Sequence, residues 1–133
     1  MGLLFTVFGF NFFFHFLPMP PPAGRAAAFL GALAASGYLL QLVHATEVVG
    51  GLLLLANRLV PLSLALLAPI VVNIVAFHLF LAPEGLAIPL AILAGELYLA
   101  WTQRTAFRLM LRGRGAEAQI DGPQAPPTLS RAA

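Results

Sequence analysis

The sequence contains no cysteine and no lysine, and only 9% of its 133 residues are charged. Without cysteine there can be no disulfide, thiolate metal site, iron–sulfur cluster or covalent haem attachment of the c type. Arginine is the only strongly basic residue, and its neighbours do not resemble the surface of a nucleic-acid-binding domain. Gly-rich phosphate loops and zinc-protease motifs are also missing from the sequence. We therefore expect no nucleic-acid partner and find no signature of a known catalytic centre.

Apolar residues make up 60% of the chain, and its mean hydropathy is +0.92. These values lie outside the range of soluble globular domains and predict an integral membrane protein. Four segments are apolar enough to cross a bilayer, over residues 2–17, 38–56, 61–82 and 86–103. A short helix over residues 23–36 is expected on the outer face, between the first and second spans. The predicted fold class is therefore all-α, an integral membrane four-helix bundle with one extra outer helix.

The chain divides into a bundle over residues 1–112 and a polar tail, rich in proline and alanine, over residues 113–133. The tail has too few apolar residues to form a core and is expected to be disordered unless a partner binds it. Five arginines fall on one side of the predicted bundle, namely Arg58, Arg104, Arg108, Arg112 and Arg114. Arg25 alone falls on the other side. Because positive loops stay cytoplasmic, both termini are predicted to be cytoplasmic.

Two glutamates, Glu47 and Glu96, lie near the middle of long apolar segments. A carboxylate at membrane depth costs roughly 3 kcal/mol, so such residues usually turn inward toward partners or water. The rise of a helix places them, with nearby polar residues, about 10–16 Å from the outer end. The predicted intramembrane polar pocket consists of Asn11, His44, Glu47, Asn73 and Glu96. Weaker candidates for the same pocket are His15, Gln41 and His78.

Several short strings resemble the DoxX-like family of small bacterial membrane proteins. They are GFN (9–11), HFLPMP (15–20), GALAASGY (31–38), HATE (44–47), APIVVN (68–73), FHLF (77–80) and ELYLAW (96–101). The resemblance covers roughly residues 2–111 and implies a four-helix protein of the bacterial inner membrane. Some members of the family are named as membrane subunits of quinone-linked sulfur oxidoreductases. Phe12 and His44 occupy positions where that family commonly has lysine, so a buried lysine–glutamate pair is not expected here.

The polar residues allow several interpretations. In the first, they are interhelical hydrogen-bonding groups, with both glutamates protonated because desolvation disfavours a charge. In the second, a histidine beside a carboxyl group binds a quinone carbonyl and passes a proton. The pattern His44-x-x-Glu47 resembles half of a bundle carboxylate metal site, but no second pair completes it, and we predict no metal. Haem ligation by His44 and His78 is a further alternative.

We predict a non-catalytic accessory transmembrane subunit of a larger bacterial membrane complex, of the electron-transfer kind. The phenylalanines that cover all sides of the first helix favour this interpretation, because they suit a lipid- or subunit-facing surface. The alternative is a quinone-interacting membrane subunit of an oxidoreductase, with its site in the outer half of the bundle. No cofactor is required, and quinone is the one that this alternative function would bind. The expected partners are the lipid bilayer and a larger membrane complex.

Overall fold

A computed structural model describes residues 1–111, and the predicted tail over residues 113–133 lies outside that range. Within it the chain forms helices and turns without a strand, which confirms the all-α prediction. The six α-helices are α1 (Gly2–Phe14), α2 (Gly24–Ala35), α3 (Leu39–Leu55), α4 (Val60–Leu81), α5 (Ala87–Thr102) and α6 (Arg104–Leu111). A single 3-10 turn, Pro83–Gly85, joins α4 to α5.

The helices begin and end close to the predicted boundaries, except at the end of α1. There His15 adopts a left-handed conformation with φ of 51°, and its backbone N–H donates to the carbonyl of Asn11. This cap ends the helix at Phe14, three residues before the predicted limit. Helix α6 was not predicted as an element of its own, because its arginines were interpreted only as a membrane-flanking cluster.

Neighbours in the bundle follow the order α1, α3, α4, α5, with α2 against α3 and α4. Glycines bring α1 and α3 into close contact. A Cβ at Gly9 would lie 2.7 Å from Val48 Cγ2, and one at Gly51 would lie 2.7 Å from the backbone nitrogen of Thr6. The central core is formed by Phe5, Leu67, Val71 and Ile92. Few apolar side chains are thus fully buried, and many of the large ones are exposed.

One helix of the described residues, α4, is long and apolar enough by itself to cross a membrane, with 22 residues and a hydropathy of 2.4. Helices α2 and α3 pass the same test only together, and they are bent by 91° at the break between them. Helices α1 and α5 are apolar but shorter. Gly37, with φ of 77°, lies at the bend, where a left-handed backbone favours glycine.

Candidate functional site

A cavity of about 350 Å³ lies between α2, α3 and α4. Four polar residues line it, His44 and Glu47 from α3 and Asn73 and His78 from α4. The rest of the wall is apolar, and includes Phe29, Leu30 and Leu33 of α2 and Pro69, Ile70 and Phe77 of α4. An apolar cavity with a few convergent polar groups is the usual form of a small-molecule site. We refer to it as the α2–α4 cavity.

The two polar residues of α3 form a pair inside this cavity. His44 and Glu47 lie one turn apart on the helix, and the distance between His44 Nδ1 and Glu47 Oε2 is 2.7 Å. Glu47 is 5% exposed. The ring of Phe12 stacks on the imidazole with 4.2 Å between centroids and 22° between planes. The carboxyl group and the phenyl ring together hold the imidazole in one orientation, and Nε2 is the ring nitrogen that takes no part in this pair.

On α4, the ring of His78 is oriented by its own helix. Its Nδ1 lies 2.9 Å from the carbonyl oxygen of Ile74, and since a carbonyl only accepts, Nδ1 carries the hydrogen. In the neutral ring Nε2 is then an acceptor. A Cβ at Gly85 would lie 2.9 Å from His78 Cδ2, so a glycine in the turn after α4 leaves room for the imidazole. The His78 side chain is therefore held in place between α4 and the turn.

Four of the eight predicted or weaker candidate residues do not line this cavity, and three of them are Asn11, His15 and Gln41. Asn11 is 8% exposed, but its side chain closes the loop after α1, since Oδ1 accepts from the backbone N–H of Leu17 at 2.6 Å. Its Nδ2 also donates to the Leu17 carbonyl, at 3.3 Å. His15 and Gln41 are exposed and do not line the cavity. Asn11 therefore stabilises the loop that follows α1, because its side-chain amide forms hydrogen bonds with the backbone of Leu17.

Glu96 is also separate from the cavity. It belongs to the buried stripe of α5, with Pro89 and Ile92, and is 5% exposed. Both of its carboxyl oxygens are buried and contact no hydrogen-bond partner among the described residues. The predicted pocket therefore divides in two, a paired glutamate that lines a cavity and an unpaired one in the packing between helices.

Two contributions to the site were not predicted from the sequence. One is the stacking of Phe12 on His44, and the other is the apolar wall that α2 supplies. The helical spacing of Phe29, Leu30 and Leu33 was the available signal for the wall. Within residues 1–111, no three histidine, aspartate or glutamate side chains lie close enough to hold a metal ion.

The chain matches no family model, no curated protein and no solved structure. The DoxX-like resemblance of its short strings therefore stays a prediction, and the geometry of the cavity is the basis for a functional proposal.

Proposed function

We propose that the protein is a four-span helical bundle of the bacterial cytoplasmic membrane, with both termini on the cytoplasmic side. The exposed surface of α4 supports this proposal. Only 22% of the most apolar 18-residue stretch of α4 is buried, whereas the core helix of a soluble protein is mostly buried. Large apolar side chains such as Phe14 and Phe80 are 70% and 68% exposed. Apolar surface of this extent is expected to face lipid or another protein.

The lengths of the shorter helices bear on this arrangement. With 13 to 17 residues each, α1, α3 and α5 extend over about 20–26 Å, less than the roughly 30 Å hydrocarbon core of a bilayer. Such a mismatch is accommodated by local thinning of the bilayer or by residues that flank the helices. The bundle is therefore expected to thin the membrane around it.

The function we propose is binding of a quinone-class head group in the α2–α4 cavity, as the quinone-interacting subunit of an oxidoreductase. The observation that carries this proposal is that the His44–Glu47 pair and His78 line one apolar cavity from two different helices. Apolar walls suit the ring of a quinone, and imidazole nitrogens suit its oxygens. The chain has no cysteine for an iron–sulfur cluster, and a partner protein supplies the electrons.

The His44–Glu47 pair can form a hydrogen bond with either the reduced (quinol) or the oxidised (quinone) form of such a ligand. When the shared proton lies on His44 Nδ1, the Nε2 of a neutral ring accepts, and it can bind a hydroxyl group. When the proton lies on Glu47, the neutral imidazole carries its hydrogen on Nε2 and can donate to a carbonyl oxygen. The second state holds one proton more than the first. Transfer of the Nδ1 proton to Glu47 over 2.7 Å must therefore be accompanied by arrival of a proton at Nε2, which the hydroxyl group of a quinol can supply.

The accessory-subunit function is a second candidate, favoured by two specific observations. His44 and Glu47 already bond each other, so they satisfy their own hydrogen-bonding needs without a ligand. In addition, Phe13, Phe14 and Phe16 are exposed around the end of α1, where a neighbouring subunit could cover them. On this alternative the polar pair stabilises the bundle, and the surface of α1 carries the function.

Two substitutions, His44→Leu and Glu47→Gln, separate these candidates. The purified protein is reconstituted in lipid vesicles and titrated with a short-chain quinone, with Thr46→Val as the matched control. Thr46 lies on the same helix, does not line the cavity, and bonds only to the backbone of its own helix. We expect about tenfold weaker binding for His44→Leu, as the loss of one buried hydrogen bond predicts, and no change for the control.

The opposite pattern would favour the accessory subunit. In that pattern, neither the wild-type protein nor any variant binds quinone, and His44→Leu lowers the yield of the assembled membrane complex. Unchanged quinone binding in both cavity variants would exclude the α2–α4 cavity as the site.

A further inference from the structure

One end of the bundle carries positive charge that is not neutralised within the described residues. Arg58, Arg104 and Arg108 are all exposed there. The one ion pair found in residues 1–111 is His44–Glu47, so none of these arginines meets a carboxylate in that range. Glu84 lies in the turn between α4 and α5, at the opposite end of the bundle. The end that carries α6 therefore attracts anions.

Helix α6 carries both of its arginines on one exposed face and an exposed leucine, Leu109, on another side. Arg104 and Arg108 are one turn apart and share an exposed face, since residues four apart are neighbours on a helix surface. Ala106 and Phe107 are half-buried. A helix with a basic face and an apolar face is the kind that lies in the plane of a membrane surface.

Aromatic rings adjoin the basic face at the end of α5. Trp101 and Tyr98 are each 68% exposed, and they are three residues apart on that helix. The guanidinium carbon of Arg104 lies 5.1 Å from the centroid of the indole ring of Trp101. Tryptophan and tyrosine are enriched at the level of lipid head groups, where one part of the ring is apolar and another is wet.

We propose that α6 lies along the membrane surface and that Arg104 and Arg108 bind the phosphate of an anionic phospholipid. Two guanidinium groups one turn apart offer paired N–H donors to phosphate oxygens, which is the geometry that arginine provides best. We assign the phosphate to a lipid because Trp101 and Tyr98 present an apolar surface beside it, which would meet an acyl chain. The inference rests on the proposed membrane location but not on the quinone site.

The chain contains one tryptophan, and it is the residue beside the proposed lipid site. The full protein is reconstituted in vesicles of equal parts phosphatidylcholine and phosphatidylglycerol, with brominated acyl chains on one lipid or the other. Bromine quenches indole fluorescence at short range, so the ratio of the two quenching curves reports which lipid lies beside Trp101. We expect a preference for phosphatidylglycerol on the order of fivefold at low salt, which falls as salt is added.

The arginines are tested by Arg104→Gln combined with Arg108→Gln, which should bring the quenching ratio close to one. Arg25→Gln is the matched control, since Arg25 is an exposed arginine in the first turn of α2, at the other end of the bundle, and it should leave the preference unchanged. Inorganic phosphate at constant ionic strength should have no effect. If phosphate removed the preference, the site would be one for a free anion and the lipid assignment would be wrong.

The remaining outcomes distinguish this inference from the proposed function. Equal quenching by both brominated lipids in the wild-type protein would overturn the inference and leave the membrane location intact. No quenching by either lipid would overturn the inference and the membrane location together.

Discussion

Glu47 and Glu96 look alike in the sequence, each a single carboxyl group within an apolar helix. The structure separates them, because Glu47 has a histidine partner at 2.7 Å and lines the α2–α4 cavity, whereas Glu96 meets no hydrogen-bond partner within residues 1–111 and does not line that cavity. A buried polar group that lacks a partner costs free energy, and a buried group that has one contributes to a defined structure. The two residues therefore respond in opposite ways to the same substitution.

Replacing Glu96 by methionine, a side chain of similar length, should raise the free energy of unfolding by about 1–3 kcal/mol, because an unpartnered carboxyl group leaves the interior. Glu47→Met should lower it, since His44 loses its partner. Glu96→Gln keeps a polar group in place and is expected to give little gain. Reversible unfolding of the three variants in mixed detergent micelles measures these differences. A loss of stability in Glu96→Met would show that the carboxyl group has a partner in the membrane.

At the scale of the helices, the contact between α1 and α3 depends on the absence of side chains. A Cβ at Gly51 would lie 2.6 Å from Thr6 Oγ1 and 2.8 Å from the carbonyl oxygen of Gly2. Since the backbone of α1 is among these neighbours, the clash cannot be relieved by rotating one side chain. The stacking of Phe12 on His44 links this contact to the cavity, because Phe12 belongs to α1.

We expect Gly51→Ala to lower the free energy of unfolding by about 1–3 kcal/mol and to disturb the cavity by moving α1 away from α3. Gly31 is the matched control, since it also lies within a helix but a Cβ there meets nothing within 4 Å. Gly31→Ala should stabilise α2 by roughly 0.5–1 kcal/mol, because alanine loses less backbone entropy than glycine on forming a helix. Thermal unfolding of both variants in detergent provides the comparison. Equal effects of the two substitutions would mean that α1 and α3 do not pack closely.

At the scale of the whole molecule, the proposed membrane arrangement places the α4–α5 turn and the α3–α4 turn on opposite sides. The chain has no cysteine, so a single introduced thiol gives an unambiguous label. Glu84→Cys and Arg58→Cys put that thiol at two exposed turn positions. In intact cells an impermeant maleimide should label Glu84→Cys but not Arg58→Cys, and it should label both after the membrane is opened. Labelling of both variants in intact cells would contradict the four-span arrangement.

Helix type, the approximate boundaries and the burial of both glutamates were predictable from the sequence. Proline, glycine and long apolar runs act through the local backbone and through composition, and both can be recognised in a single chain. Prediction of the site was less complete. His44, Glu47, Asn73 and His78 line the cavity, but Asn11 bonds the backbone at Leu17 and Glu96 lies in another interface.

The site was harder to predict because the sequence of an apolar helix does not indicate which side of the helix is buried. A helix that is hydrophobic on all sides has no distinct buried face in its sequence, so depth can be estimated but direction around the axis cannot. That direction is set by contacts between distant segments, such as Gly9 of α1 against Val48 of α3. The sequence by itself therefore determined which elements form and which polar groups are costly. Only the packing of the helices decided which of those groups share a cavity, because that choice depends on the fit of side chains from different helices.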